Sequence, residues 1–408
     1  MDIFLKNKLY RMLLINQMIS SFGDTIFYLA LINYVSSYPF APLAILCITV
    51  AETIPQILQI FTGGLADFQN NRIKKYVTIS GLKFVMYSLL TIIVGTSKFS
   101  LITVFIICGI NLISDTLSYF AGSMLTPIYM RIIDEDITSA MGFRQAAISS
   151  VNVVSNTTGG LLLGILSVEL FIGINALTFL IAFMGVLSIS RSLKEVEEKI
   201  NIYREHVNLR LLYSHFRESI NILKKFPVVV ELSTISIFSQ VILSSLLPMS
   251  SLMLLKTPFY SLKPAQSIAI LSVLLFLGSV IGNLFSGSYL KDFSTKRILF
   301  ISQFARLFII VGFWSENYYI VLLSSLFCAV TVGIVGPRIG KYTFTLIPEN
   351  VIGTVQAGLA ALNLVVSGVI TMGIIALSSI VGFKFGSVAL LLSVIIVFFI
   401  ISHTKNLD

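Results

Sequence analysis

Charged residues are scarce in this sequence. Of its 408 residues, 12% are Asp, Glu, Lys or Arg and 56% are hydrophobic, whereas a soluble domain carries roughly 25% charged residues. The mean hydropathy is +0.93. This composition excludes an ordinary soluble domain and indicates a membrane protein.

Residue types that build metal sites and nucleophilic sites are also rare. The three cysteines, Cys47, Cys108 and Cys328, lie inside apolar runs, where we interpret them as buried hydrophobic side chains. The three histidines are scattered. The segment 333–343 resembles a phosphate-binding loop but lacks its first glycine and its final Ser or Thr. We therefore expect no metal, no cofactor, no use of ATP and no enzymatic activity.

Long hydrophobic runs fill most of the chain instead. Runs of around 20 residues have the length that an α-helix needs to cross a hydrocarbon core of about 30 Å. We predict an all-α polytopic membrane protein with twelve transmembrane helices. The predicted spans are 11–33, 41–64, 76–95, 101–127, 143–165, 169–190, 228–254, 266–289, 298–315, 318–346, 354–378 and 385–402.

Positive charge is distributed unevenly between the connections. If the N-terminus is cytoplasmic, most of the 28 Lys and Arg residues fall in cytoplasmic segments, as the positive-inside rule expects. We therefore predict that both termini are cytoplasmic and that the protein resides in the cell membrane. The net charge of +9 reflects this sidedness and requires no nucleic-acid partner.

The one long hydrophilic connection lies between the sixth and seventh predicted spans. It divides the chain into an N-terminal six-helix bundle (1–190), a cytoplasmic linker (191–227) and a C-terminal six-helix bundle (228–408). Apolar residues recur at helical spacing in the linker, so we expect amphipathic helices there.

A short motif recurs in the two halves. "DFQNNRI" at 67–73 and "DFSTKRI" at 292–298 share an Asp-Phe pair and an Arg-Ile pair at the same spacing. Each copy follows the second span of its half, on the predicted cytoplasmic side. This recurrence predicts two six-helix bundles with the same orientation in the membrane.

The first copy resembles the loop signature of the major facilitator superfamily, G-x-L-A-D-R-x-G-R-K. Residues 63–72 are "GGLADFQNNR", in which the first glycine, the leucine, the alanine, the aspartate and the final base match the signature, whereas Phe68 replaces its first arginine and Asn70 its glycine. The segment 16–31, "NQMISSFGDTIFYLAL", is similar to the macrolide-efflux branch of drug exporters. The resemblance covers the whole chain and implies the major facilitator fold, with proton-coupled efflux of hydrophobic or amphiphilic small molecules, such as antibiotics, by alternating access. We expect a monomer in the bilayer.

Two markers of proton-coupled drug exporters are missing. The fourth span has no arginine in "FIICGINLISD" at 105–115, and the fifth has "SNTTGG" at 155–160 where those exporters carry G-P-x-x-G-G. Dedicated export of an endogenous metabolite, siderophore or peptide is therefore an alternative. Two further alternatives are uptake by proton symport and a role as a membrane sensor that transports nothing.

The repeated loop motif has a predicted mechanical role. Asp67 ends the second span near the N-terminal ends of neighbouring helices, where a helix dipole stabilises a carboxylate by about 0.3–1 kcal/mol. We expect Gly63, Asp67 and Arg72, with Asp292 and Arg297 of the second copy, to latch the cytoplasmic side in one transport state. A charge cluster that merely retains the loop in the cytoplasm is the alternative.

Three acidic residues, Asp24, Glu52 and Asp115, lie near the middle of predicted spans. A charged acid there costs about 2.5–3.5 kcal/mol on insertion scales, so such residues usually face the protein interior and carry a function. We predict proton exchange at Asp24 and Asp115 first and at Glu52 third. A structural ion pair with Lys83 is the alternative for either aspartate.

Polar residues accompany these acids at helical spacing. In the first span, for example, Gln17, Ser20, Asp24 and Tyr28 share one face of the helix. We expect such faces to converge on a central substrate cavity. Its predicted lining residues are Gln17, Tyr28, Asn111, Tyr119, Gln240 and Asn363.

The repeat yields a direct test. Single cysteines placed in 69–71 and in 294–296 should both react with a membrane-impermeant thiol reagent in inside-out vesicles and be protected in intact cells. Reaction of the two segments on opposite sides of the membrane would contradict the predicted repeat.

Overall fold

The computed structural model describes residues 2–67, 69–96, 98–133, 137–162, 166–199, 226–288, 293–346 and 349–404. The regular structure of these residues is helical. The helices are α1 (Asp2–Lys6), α2 (Lys8–Val35), α3 (Ala41–Asp67), α4 (Arg72–Thr96), α5 (Leu101–Ile133), α6 (Ile137–Leu162), α7 (Val168–Glu197), α8 (Pro227–Leu254), α9 (Pro264–Ser288), α10 (Thr295–Trp314), α11 (Tyr318–Leu346), α12 (Glu349–Ile380) and α13 (Phe383–His403).

Helices α2 to α13 correspond one to one to the twelve predicted spans. Within the described residues, 11 helices are long and apolar enough to cross a membrane. The remaining long helix is α6, which contains Arg144 and Asn152. Both side chains form hydrogen bonds with side chains of α2. The predicted linker helices fall largely outside the described residues.

The helices form two compact units. The first contains α1, α2, α4 to α7 and the part of α3 from Ile54, and the second contains α8 to α13 and the part of α3 up to Thr53. In the first unit α2 packs on α6 and α7, and α4 packs on α5 and α7. In the second, α8 packs on α12 and α13, and α10 packs on α11 and α13. The same partners therefore recur in the same order, which is the packing expected of a repeated six-helix unit.

Two glycines allow α2 and α7 to approach closely. A Cβ atom at Gly23 would lie 2.1 Å from Thr178 Oγ1, and one at Gly185 would lie 2.2 Å from Asn16 Oδ1. Each helix thus places a glycine opposite a polar side chain of its partner, as small residues do at helix contacts within membranes. This contact brings α7 against the face of α2 that carries Asp24.

A second close contact joins α9 and α11. Gly278 and Gly282 lie one turn apart on α9 and face α11. A Cβ atom at Gly282 would lie 2.1 Å from the carbonyl oxygen of Val330, and one at Gly278 would lie 2.7 Å from that of Leu326. This Gly-x-x-x-Gly arrangement lets the two backbones touch.

We predict that Gly282→Ala destabilises the protein, because the new methyl group would meet backbone atoms that cannot rotate away. Overpacking of this kind costs about 1–3 kcal/mol. Thermal unfolding of the purified protein in detergent measures the effect. The matched control is Gly373→Ala on α12, where no atom lies within 4 Å of the added Cβ. Equal unfolding temperatures for the two variants would contradict this packing.

Candidate functional site

An ion pair lies near the middle of α2 and α4. The Nζ atom of Lys83 is 3.9 Å from Oδ2 of Asp24, and the exposed fractions of the two side chains are 7% and 34% respectively. Pairing lowers the cost of holding a charge in a low-dielectric region. The lysine is therefore enclosed, while the aspartate side chain is partly exposed.

Two further contacts hold the ammonium group of Lys83. It donates a hydrogen bond of 2.6 Å to Ser118 Oγ on α5. It also lies 4.0 Å from the centre of the Phe179 ring on α7, a distance at which the ring face attracts a cation. The ammonium group thus keeps two partners when the charge on Asp24 changes.

Asn175 on α7 fixes the other oxygen of Asp24. Its Nδ2 atom donates to Asp24 Oδ1 at 3.2 Å. Thr178 Oγ1 lies 3.2 Å from Asn175 Oδ1 and 2.8 Å from the Asn175 carbonyl oxygen, which is the closer of the two acceptors. Asn175 is fully buried. Because an ionised carboxylate only accepts hydrogen bonds, Asn175 presents its NH₂ group to Asp24.

The ion pair forms part of the wall of a cavity within the first unit. The cavity has a volume of about 210 Å³, below the roughly 300–1,000 Å³ of pockets for drug-sized ligands. Its described lining residues come from α2, α4, α5, α6 and α7. They are Asn16, Gln17, Ser20, Ser21, Asp24, Tyr76, Ile79, Ser80, Lys83, Ser118, Ala121, Gly122, Leu125, Tyr129, Arg144, Phe179 and Ala182.

Arg144 lines the same cavity from α6. Its Nε atom donates a hydrogen bond of 2.8 Å to Gln17 Oε1, and its guanidinium group lies 5.1 Å from the centre of the Tyr129 ring. Gln17 and Asp24 are seven residues apart on α2, so these contacts are separated by about two helical turns, or about 10 Å. The cavity therefore has a guanidinium group at one end and the ion pair at the other.

Hydrogen bonds from α2 also fix α6. Ser21 Oγ and Thr25 Oγ1 donate to Asn152 Oδ1 at 2.7 and 3.2 Å. The polar face of α2 therefore contacts three helices: α4 through Lys83, α6 through Asn152 and α7 through Asn175.

Asp115 belongs to a neighbouring polar network on α5. It accepts a hydrogen bond of 3.2 Å from Asn111 Nδ2, and Asn111 Oδ1 accepts one of 2.7 Å from the Tyr87 hydroxyl. The centres of the Tyr87 and Phe179 rings are 4.9 Å apart. Phe179 thus touches both Lys83 and Tyr87, and connects the two networks.

The other predicted residues of the N-terminal half have different positions. Tyr28, Glu52 and Tyr119 are half-buried, and none of the three is among the described lining residues of the cavity. Of the predicted cavity residues, Gln17 lines the same cavity as Asp24, about two helical turns away along α2.

The loop motif surrounds the start of α4. Arg72 is the first residue of this helix and is 5% exposed. The carboxylate of Glu197, at the end of α7, accepts hydrogen bonds from the backbone amides of Arg72 and Ile73. Gly63 on α3 faces Ser123 on α5. Asp67 ends α3, but its side chain and the whole of Asp292 lie outside the described part of the chain.

The C-terminal candidates are more dispersed. Gln240 is exposed and donates to Ser244 Oγ at 3.1 Å. Asn363 is half-buried, and Arg297 is exposed in the first turn of α10. The described side chains of these residues form no site comparable to the one around Asp24.

A buried arginine stands out in the second unit. Arg306 on α10 is 2% exposed, and the adjacent Gln303 is fully buried. The guanidinium group donates to Ser302 Oγ. Within the described atoms, Arg306 Nε and Gln303 Oε1 have no hydrogen-bond partner. Arginine within a span usually marks a functional position.

The sequence pattern did not identify all of the site. Ser118 and Gly122 belong to the polar face of the fourth span, and both line the cavity. The sequence pattern did not indicate that Arg144 lines the cavity or that Asn175 contacts Asp24. The available signal was a charged or amide side chain inside a predicted span, which marks a residue as inward-facing but does not identify its partner.

No protein-family model matches the sequence, and no curated protein matches it. Solved structures do match along nearly the whole chain. The nucleoside transporter NupG covers 96% of this chain and 100% of its own, with 13% identity and a TM-score of 0.65. The peptide transporter POT in complex with sulfate covers 97% and 94%, with 11% identity and a TM-score of 0.65.

A third match has the same character. The D-xylose–proton symporter covers 97% of this chain and 98% of its own, with 14% identity and a TM-score of 0.61. The three matched proteins are transporters and not enzymes. Identities this low establish the fold alone. The chain is therefore a multi-pass membrane protein with the fold of these transporters, the major facilitator fold.

Proposed function

We propose that this protein is a secondary transporter that couples the movement of a hydrophobic or amphiphilic small molecule to protons by alternating access. Asp24 is the group that gains and loses the proton. The protein acts as a monomer in the cell membrane, with both termini in the cytoplasm. The loop motif around Asp67 and Arg72 latches its cytoplasmic side.

The observation that carries this proposal is the Asp24–Lys83 pair in the cavity wall. When Asp24 is ionised, Lys83 and Asn175 stabilise its charge from two sides. When Asp24 is protonated, the ammonium group of Lys83 loses its counter-charge but keeps Ser118 and Phe179. One proton therefore changes the net charge of the site by one without removing the partners that hold Lys83 in place.

Export is the direction favoured by the sequence resemblance to drug exporters. One charge moved through 100 mV is worth about 2.3 kcal/mol, enough for roughly a fifty-fold gradient of substrate. Dedicated export of an endogenous metabolite, siderophore or peptide uses the same site. Uptake by proton symport is the second candidate, and the excess of positive charge among the described lining residues of the cavity favours it.

The two directions differ in vesicle assays. In inside-out vesicles with an acidified interior, an added compound that is exported in exchange for protons dissipates the pH gradient. In right-side-out vesicles with an acidic exterior, a symported compound accumulates inside. A broad compound panel that produces neither response would contradict proton-coupled transport.

We predict that Asp24→Asn abolishes proton coupling, because an amide of nearly the same shape has no proton to exchange. Reconstituted vesicles with an internal pH dye measure the proton flux that accompanies substrate. Asp24→Glu, which keeps the carboxyl group, should retain part of this flux. Full proton-coupled transport by the asparagine variant, at equal protein content, would exclude Asp24 from the mechanism.

A double variant separates coupling from structure. Lys83→Met alone leaves the carboxylate without its counter-charge and should lower the unfolding temperature. Replacing both members of a buried pair is often close to neutral, so Asp24→Asn combined with Lys83→Met should recover stability but not coupling. Recovery of both properties would mean that the ion pair has a structural role only.

A further inference from the structure

The cavity in the first unit carries an excess of positive charge. Among its described lining residues, Lys83 and Arg144 are cations and Asp24 is the single acid. The net charge is therefore +1 when Asp24 is ionised and +2 when it is protonated. A cavity with this charge attracts anions and repels cations at both stages of the proton cycle.

Among the residues that the structure describes, no carboxylate pairs with Arg144. Within the described part of the chain, its partners are the amide oxygen of Gln17 and the aromatic ring and hydroxyl of Tyr129. A guanidinium group has five N–H donors in a planar fork that matches the geometry of an oxyanion. Most of these donors remain for a ligand.

The walls of the cavity are suited to an organic ligand. Tyr76 and Tyr129 line the cavity along with Arg144, while Phe179 lines it along with Lys83. Between them lie apolar side chains, including Ile79 and Leu125. A small molecule with one anionic group and one ring therefore finds a partner for each of its parts.

We propose that the substrate is a small organic anion whose carboxylate, phosphate or sulfonate group binds Arg144 at one end of this cavity, with its apolar body directed toward Phe179. The cation Lys83, which lies beside Asp24 in the wall of the same cavity, strengthens the attraction once Asp24 is protonated. The anion site is argued from the cavity residues alone, whereas transport of the bound anion and its coupling to a proton rest on the proposed function.

The charges of the cavity determine whether the substrate and the proton strengthen or weaken each other's binding. A proton on Asp24 removes a negative charge from the cavity, so it strengthens the binding of an anion. By linkage, the anion strengthens the binding of the proton to the same extent. Two ligands that favour each other's binding are co-transported, whereas exchange requires that they compete. An anionic substrate therefore favours symport over antiport.

The other titratable or charged groups that line the cavity do not change this expected coupling between anion and proton. The titratable or charged lining residues are Asp24 on α2, Tyr76 and Lys83 on α4, Tyr129 on α5 and Arg144 on α6. The described lining residues of α7, Phe179 and Ala182, do not titrate. Asp24 is the one carboxyl group among these described lining residues, and it is the group whose charge we expect to change under mildly acidic conditions.

The test compares three probes of similar size: benzenesulfonate, which is anionic at every working pH, the neutral benzenesulfonamide, and benzylammonium. The thermal unfolding of the full-length protein in an uncharged detergent is measured over a concentration series, with ionic strength balanced by NaCl. A ligand that binds the folded state raises the unfolding temperature, and at a given concentration the rise is larger when the ligand binds more tightly. We expect benzenesulfonate to stabilise the protein, more at pH 5.5 than at pH 7.5, and the other probes to have little effect.

Variants locate the binding. Arg144→Gln should weaken benzenesulfonate binding by about ten- to a hundredfold, since a charged hydrogen bond contributes about 1.5–3 kcal/mol. Asp24→Asn should bind as tightly at pH 7.5 as at pH 5.5. The control Lys384→Gln removes a lysine on α13 that pairs with Glu316 and should match the unmodified protein. If Arg144→Gln is too unstable, Arg144→Lys, which keeps the charge, should retain measurable binding.

The outcomes separate this inference from the proposed function. Stabilisation by benzylammonium but not by benzenesulfonate, or equal benzenesulfonate binding in Arg144→Gln, would overturn the anion site, and proton coupling through Asp24 would still stand. Anion binding that needs Arg144 but keeps its pH dependence in Asp24→Asn would support the anion site and remove Asp24 as the coupled group.

Discussion

A charged side chain in the middle of a bilayer needs a counter-charge and hydrogen-bond partners, and the first unit is organised around this requirement for Lys83. Three helices supply its surroundings: Asp24 from α2, Ser118 from α5 and Phe179 from α7 meet the lysine of α4. The glycine at position 23 lets α7 approach closely enough for Asn175 to reach Asp24. Helix packing and the charge state of the site are therefore physically linked, because a change of charge on Asp24 alters the contacts that join α2 to α4 and α7.

Much of the fold could be predicted from the sequence, because the lengths of the hydrophobic runs and the repeated Asp-Phe/Arg-Ile motif can be read directly from it. The polar face of the first span was also predictable, since Gln17, Ser20 and Asp24 follow helical spacing and all line the cavity. Lys83 was expected as a possible counter-charge for either aspartate, but its pairing with Asp24 and the contact with Asn175 were harder to predict. Lys83 and Asn175 lie far from Asp24 in the chain, and periodicity indicates which way a side chain faces but not which helix stands opposite. Tyr28 follows the same helical spacing but is not among the described residues that line the cavity, so spacing alone does not identify the lining residues.

The two units share their helix pairing but not their chemistry. The first has an acid, a lysine and an arginine around one cavity, whereas the second has Arg306 buried beside Gln303 and Ser302. A repeated scaffold allows this difference, because the pattern of helix contacts depends on small residues and apolar faces while function depends on a few polar positions. The excess of positive charge in the first unit connects the nature of the substrate to the direction of transport. An anion and a proton that favour each other's binding move together, while a cationic drug would compete with the proton for Asp24.

The central claim is that Asp24 gains and loses a proton within the membrane. Infrared difference spectroscopy of the reconstituted protein measures this directly, because a protonated carboxyl group has a carbonyl stretch that a carboxylate lacks. We predict a carboxyl band that grows as the pH is lowered from 8 to 5 and is absent in Asp24→Asn. An unchanged band in that variant, or the absence of any pH-dependent carboxyl signal in the unmodified protein, would contradict the account.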